Sequence, residues 1–362
     1  MDETMILDRL NNQVKVGVID CDIHNTVPSI KALFPYLPER WRDYLLEHNI
    51  KSLEPNYYPK HASIFIRPDA VSDSGNPPGS DLDLLRKLAL DPWNVKYAIL
   101  NCLYGIQMIH NEDLAVVMAR AVNDWIIAEW LDKEPRLRAS IVVPSQNPLR
   151  AAEEIHRLGH HPGFVQVLLL VRSEKPYGKR YYWPIYEAAE QYGLTIGIHA
   201  GGMTGYPIMP VGWPSHYIED YVSQSQAFQS QLISLVSEGV FKKFPSLKVV
   251  MMESGFTWMP ALMWRFDKNW KGLRREVPWV DRLPSEIIRD HIRLTVQPVD
   301  EAPEPDHLFE TMQQLDSEDM LLFSTDYPHW HFDKKDDALP IPLPANYKEK
   351  LFSKNALSVY RF

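Results

Sequence analysis

The feature that most limits the fold of this chain is an eightfold alternation of short apolar runs with segments of helical periodicity. The runs are Val16 to His24, Tyr97 to Leu100, Leu137 to Val143, Phe164 to Val171, Leu194 to His199, Leu247 to Glu253, Ile292 to Gln297 and Met320 to Asp326. Each is followed by helical sequence, in order Asp81 to Leu90, Glu112 to Leu131, Pro148 to Leu158, Trp183 to Tyr192, Gln224 to Glu238, Trp258 to Trp270, Pro305 to Leu315 and Asn346 to Tyr360. Phe164 to Val171 reads F-V-Q-V-L-L-L-V, the near-continuous apolar composition of a strand covered on both faces. Strands that alternate strictly with helices make a parallel sheet, and eight such units close into a (β/α)8 (TIM) barrel, an α/β fold. The competing open sheet would carry a G-x-G-x-x-G turn after the first strand, and none is there. No repeat or low-complexity linker divides the 362 residues, so a single domain over 1–362 is expected, with a large core in keeping with 45% hydrophobic content.

Two connections are too long to be simple turns. Asn25 to Ser80 is aromatic and punctuated by proline, which predicts short helices rather than regular sheet. Gly201 to Ser223 is rich in Gly and Pro and follows the fifth strand. Loops of this length commonly cover binding sites, and both leave strand ends on the face where such barrels do chemistry, so both are expected to be lids.

The informative residues are therefore those where the apolar runs stop. The first ends V-G-V-I-D-C-D-I-H, and strand alternation puts Asp20, Asp22 and His24 on one face and Cys21 and Ile23 on the other. The fifth run ends in His199, the sixth in Glu253 and the eighth in Asp326. One such residue alone reads as a helix cap or a satisfied core polar group. Four strands ending this way would crowd carboxylates around one mouth, an arrangement that repels itself unless a cation or protons offset it. The expected metal ligands are Asp22, His24, His199, Glu253 and Asp326, around one or two divalent ions. Cys21 and Cys102 are the only cysteines, which leaves no disulfide framework and no thiolate zinc site. Imidazole with carboxylate suits Zn, Mn or Fe, and the oxygen-rich balance tilts toward Mn or Fe.

Weaker signals surround this set. His329 and His331, just beyond Asp326, are candidate ligands or proton shuttles. Arg172 after the fourth strand is a candidate anchor for a substrate carboxylate, and His216 in the long loop after the fifth strand is a candidate substrate contact. Trp183, Trp213, Tyr57, Tyr58 and Trp330 are candidate walls of an apolar pocket.

Composition narrows the partners. The formal charge of -9, without basic runs, speaks against nucleic acid and anionic membranes. No apolar run reaches the roughly 18 residues of a membrane helix, and the acidic start M-D-E-T-M lacks a signal-peptide core, so a soluble cytoplasmic protein is expected. Small molecules and other proteins remain as partners, and the aromatic loops suit a homo-oligomer or a hetero-oligomer with a related subunit.

The ordered motifs D-x-D-x-H after strand 1, I-H-A-G-G after strand 5, M-E-S-G-F-T-W-M-P after strand 6 and S-T-D-Y-P-H-W after strand 8 resemble the amidohydrolase superfamily, more narrowly its amidohydrolase-2 branch. The resemblance runs from Val16 to about Tyr360. It implies a metal-dependent enzyme that hydrolyses or non-oxidatively decarboxylates a small carboxylic acid, aromatic acids among them. By position, the H-x-H pair of the branch falls on Asp22 and His24, its strand 5 ligand on His199, its strand 6 histidine on Glu253 and its strand 8 aspartate on Asp326. Asp22 and Glu253 thus depart from the pattern and make the site harder and more anionic. The lysine that closes strand 4 in dinuclear relatives is missing, since that strand runs Leu168, Leu169, Leu170, Val171, Arg172. In a hydrolase of this kind Asp326 relays a proton from metal-bound water; in a decarboxylase it protonates the carbon. The superfamily resemblance also implies two alternatives. One is a non-heme dinuclear Fe/Mn monooxygenase hydroxylating a small acid such as isobutyrate, and the other a non-catalytic metal-binding subunit beside a related catalytic partner.

Overall fold

The computed structural model describes residues 17–51, 53, 65–73, 75–202, 209, 211–329, 341 and 343–362. Eight strands, β1 (Val18–Ile23), β2 (Val95–Leu100), β3 (Leu137–Val142), β4 (Phe164–Leu170), β5 (Thr195–His199), β6 (Val249–Met252), β7 (Ile292–Thr295) and β8 (Leu321–Leu322), form one sheet in chain order. Every neighbouring pair is parallel. The two edges meet: Cys21 N–H donates to the Phe323 carbonyl at 2.9 Å, Asp326 N–H to Asp22 at 3.0 Å and His24 N–H to Tyr327 at 2.7 Å. The sheet is therefore the expected barrel. β8 itself is short, and the residues that follow it make these closing bonds with β1. β4 is buried along its whole length, as its apolar sequence requires.

Helices begin where the sequence supplies caps. The Asn111 side chain accepts from Leu114 N–H at 3.1 Å and starts the helix Glu112–Ile126, whose first turn carries Glu112 and Asp113 toward the positive end of the helix dipole. Asn147 does the same for the helix Pro148–Leu158, with Pro148 in the first turn where no N–H is needed.

Two helices differ from expectation. The one after β5 spans Tyr217–Ser237, beginning at Tyr217 instead of Gln224. Glu219 accepts from the backbone N–H groups of Ser215 (3.0 Å) and His216 (2.7 Å), which caps this earlier start. The first turns hide from a periodicity reading because Ile218 and Val222 point outward, 71% and 69% exposed. An additional helix, Pro284–His291, precedes β7.

The described parts of the two long connections run partly along the outside of the barrel, where Tyr36 of the first reaches Glu129, and partly beside the segment after β8. The first contains the short helices Ile30–Tyr36 and Glu39–Glu47, as its composition suggested. Ile66 then pairs antiparallel with His329, and Arg67 N–H donates to the Pro328 carbonyl at 3.0 Å. The Phe65 ring stacks on Tyr221 of the second connection's helix, with centroids 4.9 Å apart. The two connections thus meet beside the segment that carries Asp326. Tyr57 and Tyr58 lie outside the described residues. Among the described residues, no helix is long and apolar enough to cross a membrane.

Candidate metal centre

Three residues of β1 and its exit were expected to face the mouth, and they divide. Asp20 turns to backbone work: its carboxylate accepts from the N–H groups of Asp22 (3.2 Å) and Thr325 (3.0 Å) and from the Thr325 hydroxyl (2.6 Å). Burial pushes its carboxyl up to about 7 against the pull of those donors. Asp22 and His24 enter the mouth instead.

There they meet His199 from β5, Glu253 just past β6, and Asp326 and His329 from the segment after β8. The ligand atoms form two overlapping sets of four, Asp22, His24, His199, Glu253 and His24, Glu253, Asp326, His329, each within 4.8 Å. His24 Nε2 is 2.8 Å from Asp326 Oδ1 and 3.2 Å from Glu253 Oε1. His199 Nε2 is 3.4 Å from the same Glu253 oxygen and 3.5 Å from Asp22 Oδ2, and His329 Nδ1 is 3.0 Å from Asp326 Oδ1. Glu253 and Asp326 both hold left-handed backbone, with φ of 56° and 57°. That conformation is strained for residues with a Cβ, and such strain clusters at functional sites.

Backbone carbonyls set both buried imidazoles. His24 Nδ1 faces the Asn101 carbonyl at 3.2 Å and His199 Nδ1 the Ala200 carbonyl at 2.8 Å. With Nδ1 donating there, each Nε2 presents its lone pair to the centre, the usual way a protein orients a metal-binding histidine. Asp22 Oδ2 and His199 Nε2 are buried and lack a hydrogen-bond partner. Orphaned polar atoms of this kind are costly and call for something between them. Metal bonds of about 2 Å place neighbouring ligand atoms about 3 to 3.5 Å apart, and the separations of His24 from Glu253, His199 from Glu253 and His199 from Asp22 fall in that range. The donor set thus fits a divalent cation.

In the metal-free protein, protons stand where that cation would. Burial works against charging His24, yet its hydrogen bonds to Asp326 and Glu253 hold its imidazole well above the ordinary range. His329 is carried to about 10, against burial, by the charge of Asp326. Glu253 falls to about 2: burial and Asp326 push it up, and the imidazoles of His199, His24 and His329 outweigh them.

The outer candidates fare differently. Arg172 pairs with Asp220 on the helix Tyr217–Ser237, with both side chains only 7% exposed. His216 caps that helix beside Glu219, its side chain 79% exposed and outside both ligand sets. Trp183 packs against Phe244 and donates to the Gly178 carbonyl, so it walls no mouth pocket. Trp213 is half exposed. Trp330 and His331 lie outside the described residues.

Two residues were missed. Asn101 donates from Nδ2 to Asp22 Oδ1 at 2.8 Å, and Tyr221 lies where the charges of Glu253 and Asp326, after burial, raise its phenol. Asn101 gives a signal only in hindsight, a polar residue directly after an apolar run; Tyr221 sits in the helix turns whose outward apolar residues hid them.

A family model described as amidohydrolase matches residues 19–362. The gamma-resorcylate decarboxylase of Polaromonas sp. strain JS666 is 27% identical over 258 residues, 64% of this chain and 72% of that protein. Among solved structures, a dihydroxybenzoic acid decarboxylase from Polaromonas sp. JS666, with bound manganese and the inhibitor 2-nitroresorcinol, aligns with a TM-score of 0.65 at 22% identity, covering 95% of this chain and 96% of that one. A 5-carboxyvanillate decarboxylase from Novosphingobium aromaticivorans, complexed with manganese and 4-hydroxy-3-methoxy-5-nitrobenzoic acid, aligns with a TM-score of 0.68 at 17% identity over 96% of each chain. At these identities the two structures bear on the fold alone.

Proposed function

This chain belongs to the amidohydrolase family, and from that premise we propose that it is a metal-dependent carboxy-lyase that removes CO2 from an aromatic carboxylic acid. The observation that carries this reading is the orphaned pair Asp22 Oδ2 and His199 Nε2 inside a cage of carboxylates and imidazoles at the barrel mouth. The decarboxylase relatives supply the substrate class, and manganese in two of them supports Mn as the ion.

Asp22, His24, His199 and Glu253 would hold the ion, with Asp326 at its edge. A bound divalent cation would supply a Lewis acid for a substrate oxygen next to the carboxylate. Asp326, buried, delivers a proton to the ring carbon as the carbon–carboxylate bond breaks; the bond's electron pair stays on carbon and takes up that proton. His329, partly exposed and hydrogen-bonded to Asp326, returns a proton from solvent for the next turnover. The Phe65 and Tyr221 rings and the lid segment through Arg67 shield the mouth from water.

The test is CO2 release and arene formation from hydroxylated benzoates by the Mn-loaded protein. Conversion that stops on chelation supports the reading, and a metal-loaded protein inert across resorcylates, carboxyvanillate and related ortho-hydroxy acids counts against it.

A second reading keeps two ions and rests on the overlapping ligand sets that share His24 and Glu253. In it the two sets would hold a pair of Fe or Mn ions, which with O2 and an external two-electron donor would supply the oxidising chemistry to hydroxylate a small acid, the second oxygen atom leaving as water. None of the relatives described above is an oxygenase, so it stands on the donor set alone. Metal analysis of anaerobically purified protein separates the two: one Mn per chain favours decarboxylation, and two redox metals with substrate-dependent oxygen uptake favour the oxygenase.

A further inference from the structure

We propose that Asn101, Ser140, Gln166 and Tyr360 form a one-directional hydrogen-bond chain that fixes Asp22 as a single-oxygen metal ligand. The proposal rests on the metal-dependent reading above. Barrels of this type fill their interior with layers of apolar side chains. Beneath this mouth, the layer is polar instead. Asn101 directly after β2, Ser140 on β3 and Gln166 on β4 are fully buried, and Tyr360 near the C-terminus is 5% exposed. Burying four such groups is costly unless each is bonded, and each is.

The direction of the chain follows from its end. An ionised Asp22 only accepts, so Asn101 must present Nδ2 to Asp22 Oδ1, at 2.8 Å. Asn101 Oδ1 then faces the other way and accepts from Ser140 Oγ at 2.6 Å and Gln166 Nε2 at 3.2 Å. Gln166 Nε2 also donates to Ser140 Oγ at 2.8 Å, which leaves Gln166 Oε1 to accept from the Tyr360 hydroxyl at 2.9 Å. Along this path the donors run from Tyr360 toward Asp22, while the amides of Asn101 and Gln166 also donate to Met252 Sδ at 3.3 and 3.4 Å. Ordered donors of this kind polarise one another in a low-dielectric interior. Gly197 on β5 makes room for the chain, because a Cβ there would fall 2.4 Å from the Gln166 amide.

Asp22 Oδ1 is thus occupied, and only Oδ2, aimed at His199 Nε2, remains for a metal. The backbone carbonyl of Asn101 separately orients His24 through Nδ1. The four side chains are positioning residues: they act on the ion through Asp22.

The experiment is a Mn2+ titration followed by electron paramagnetic resonance on the full chain, with circular dichroism and thermal melting to establish folding. Asn101→Leu keeps the volume and removes the donor; it weakens Mn2+ binding by about 10 to 100-fold, the range for a lost partner of a metal ligand. Ser140→Ala weakens binding less and Tyr360→Phe least, and the bound Mn2+ line shape changes in the same order. If Asn101→Leu does not fold, Ser140→Ala and Tyr360→Phe decide. Folded variants with wild-type affinity and line shape, whatever their melting temperature, overturn the proposal. A wild type that binds Mn2+ but decarboxylates nothing would remove the carboxy-lyase reading and leave this order intact; equal affinities in an active enzyme would do the reverse.

Discussion

Buried carboxylates sit at both ends of this barrel, and they are neutralised in opposite ways. Before β3, at the N-terminal end, Glu134 lies between Arg136 and Arg86, with contacts of 2.8 Å to each. The Arg136 hydrogen bonds, helped by Arg86 and opposed by burial, bring its carboxyl to about 2. At the mouth, Asp22, Glu253 and Asp326 form ion pairs, among the described residues, with imidazoles alone. A guanidinium is always charged, so the Glu134 cluster is complete once the chain folds. An imidazole gives its proton up near neutrality or when a metal competes for it. One end is a fastening, and the other is an exchangeable socket.

The largest test strikes the socket. Glu253→Gln keeps the shape and removes the charge, and it should weaken Mn2+ binding by about 100-fold or more, abolish CO2 release and leave the fold intact. Unchanged affinity in a metal titration would make the mouth as self-contained as Glu134 and break the contrast.

Next comes proton release. In the metal-free protein the His24 imidazole is held well above its ordinary range by Asp326 and Glu253 against burial, so ligation must displace its proton. Calorimetric Mn2+ binding should therefore show an enthalpy that varies with the ionisation enthalpy of the buffer, in the sense of net release. A buffer-independent enthalpy would contradict it.

The fastening should respond in stability alone. Glu134→Gln should cost about 1 to 2 kcal/mol, between an exposed and a fully buried pair because both arginines are about a third exposed. Its carboxyl is depressed on folding, so this stabilisation is present above the unfolded value of about 4.3 and is lost as pH falls toward 2. Melting curves of the variant and wild type should differ at pH 7 and converge near pH 2, with Mn2+ affinity equal throughout. The smallest effect belongs to His216→Ala, which should change stability by less than about 0.5 kcal/mol and leave Mn2+ binding and turnover untouched.

The convergence of Asp22, His24, His199, Glu253 and Asp326 was legible in the sequence because each stands where an apolar run stops, and a barrel brings those stops together. Asn101, Ser140 and Gln166 were not, since a single polar residue in or beside an apolar strand looks like any tolerated core substitution until its partners are seen on neighbouring strands. The ion pair of Arg172 was hidden for a related reason: its partner Asp220 lies in a helix whose start was masked by the outward-facing Ile218 and Val222. The helix Pro284–His291 was missed because it is short and has only one amphipathic turn to show.

The bonds that close the barrel also decide when in a polypeptide's life the mouth is finished. Asp326 and His329 arrive on the same segment that pairs with β1, so a nascent chain halted after Leu322 has an unpaired β1 edge and neither of these donors. Of the two overlapping groups at the mouth, the one that contains Asp326 and His329 is therefore assembled last, by the same docking step that closes the sheet on itself.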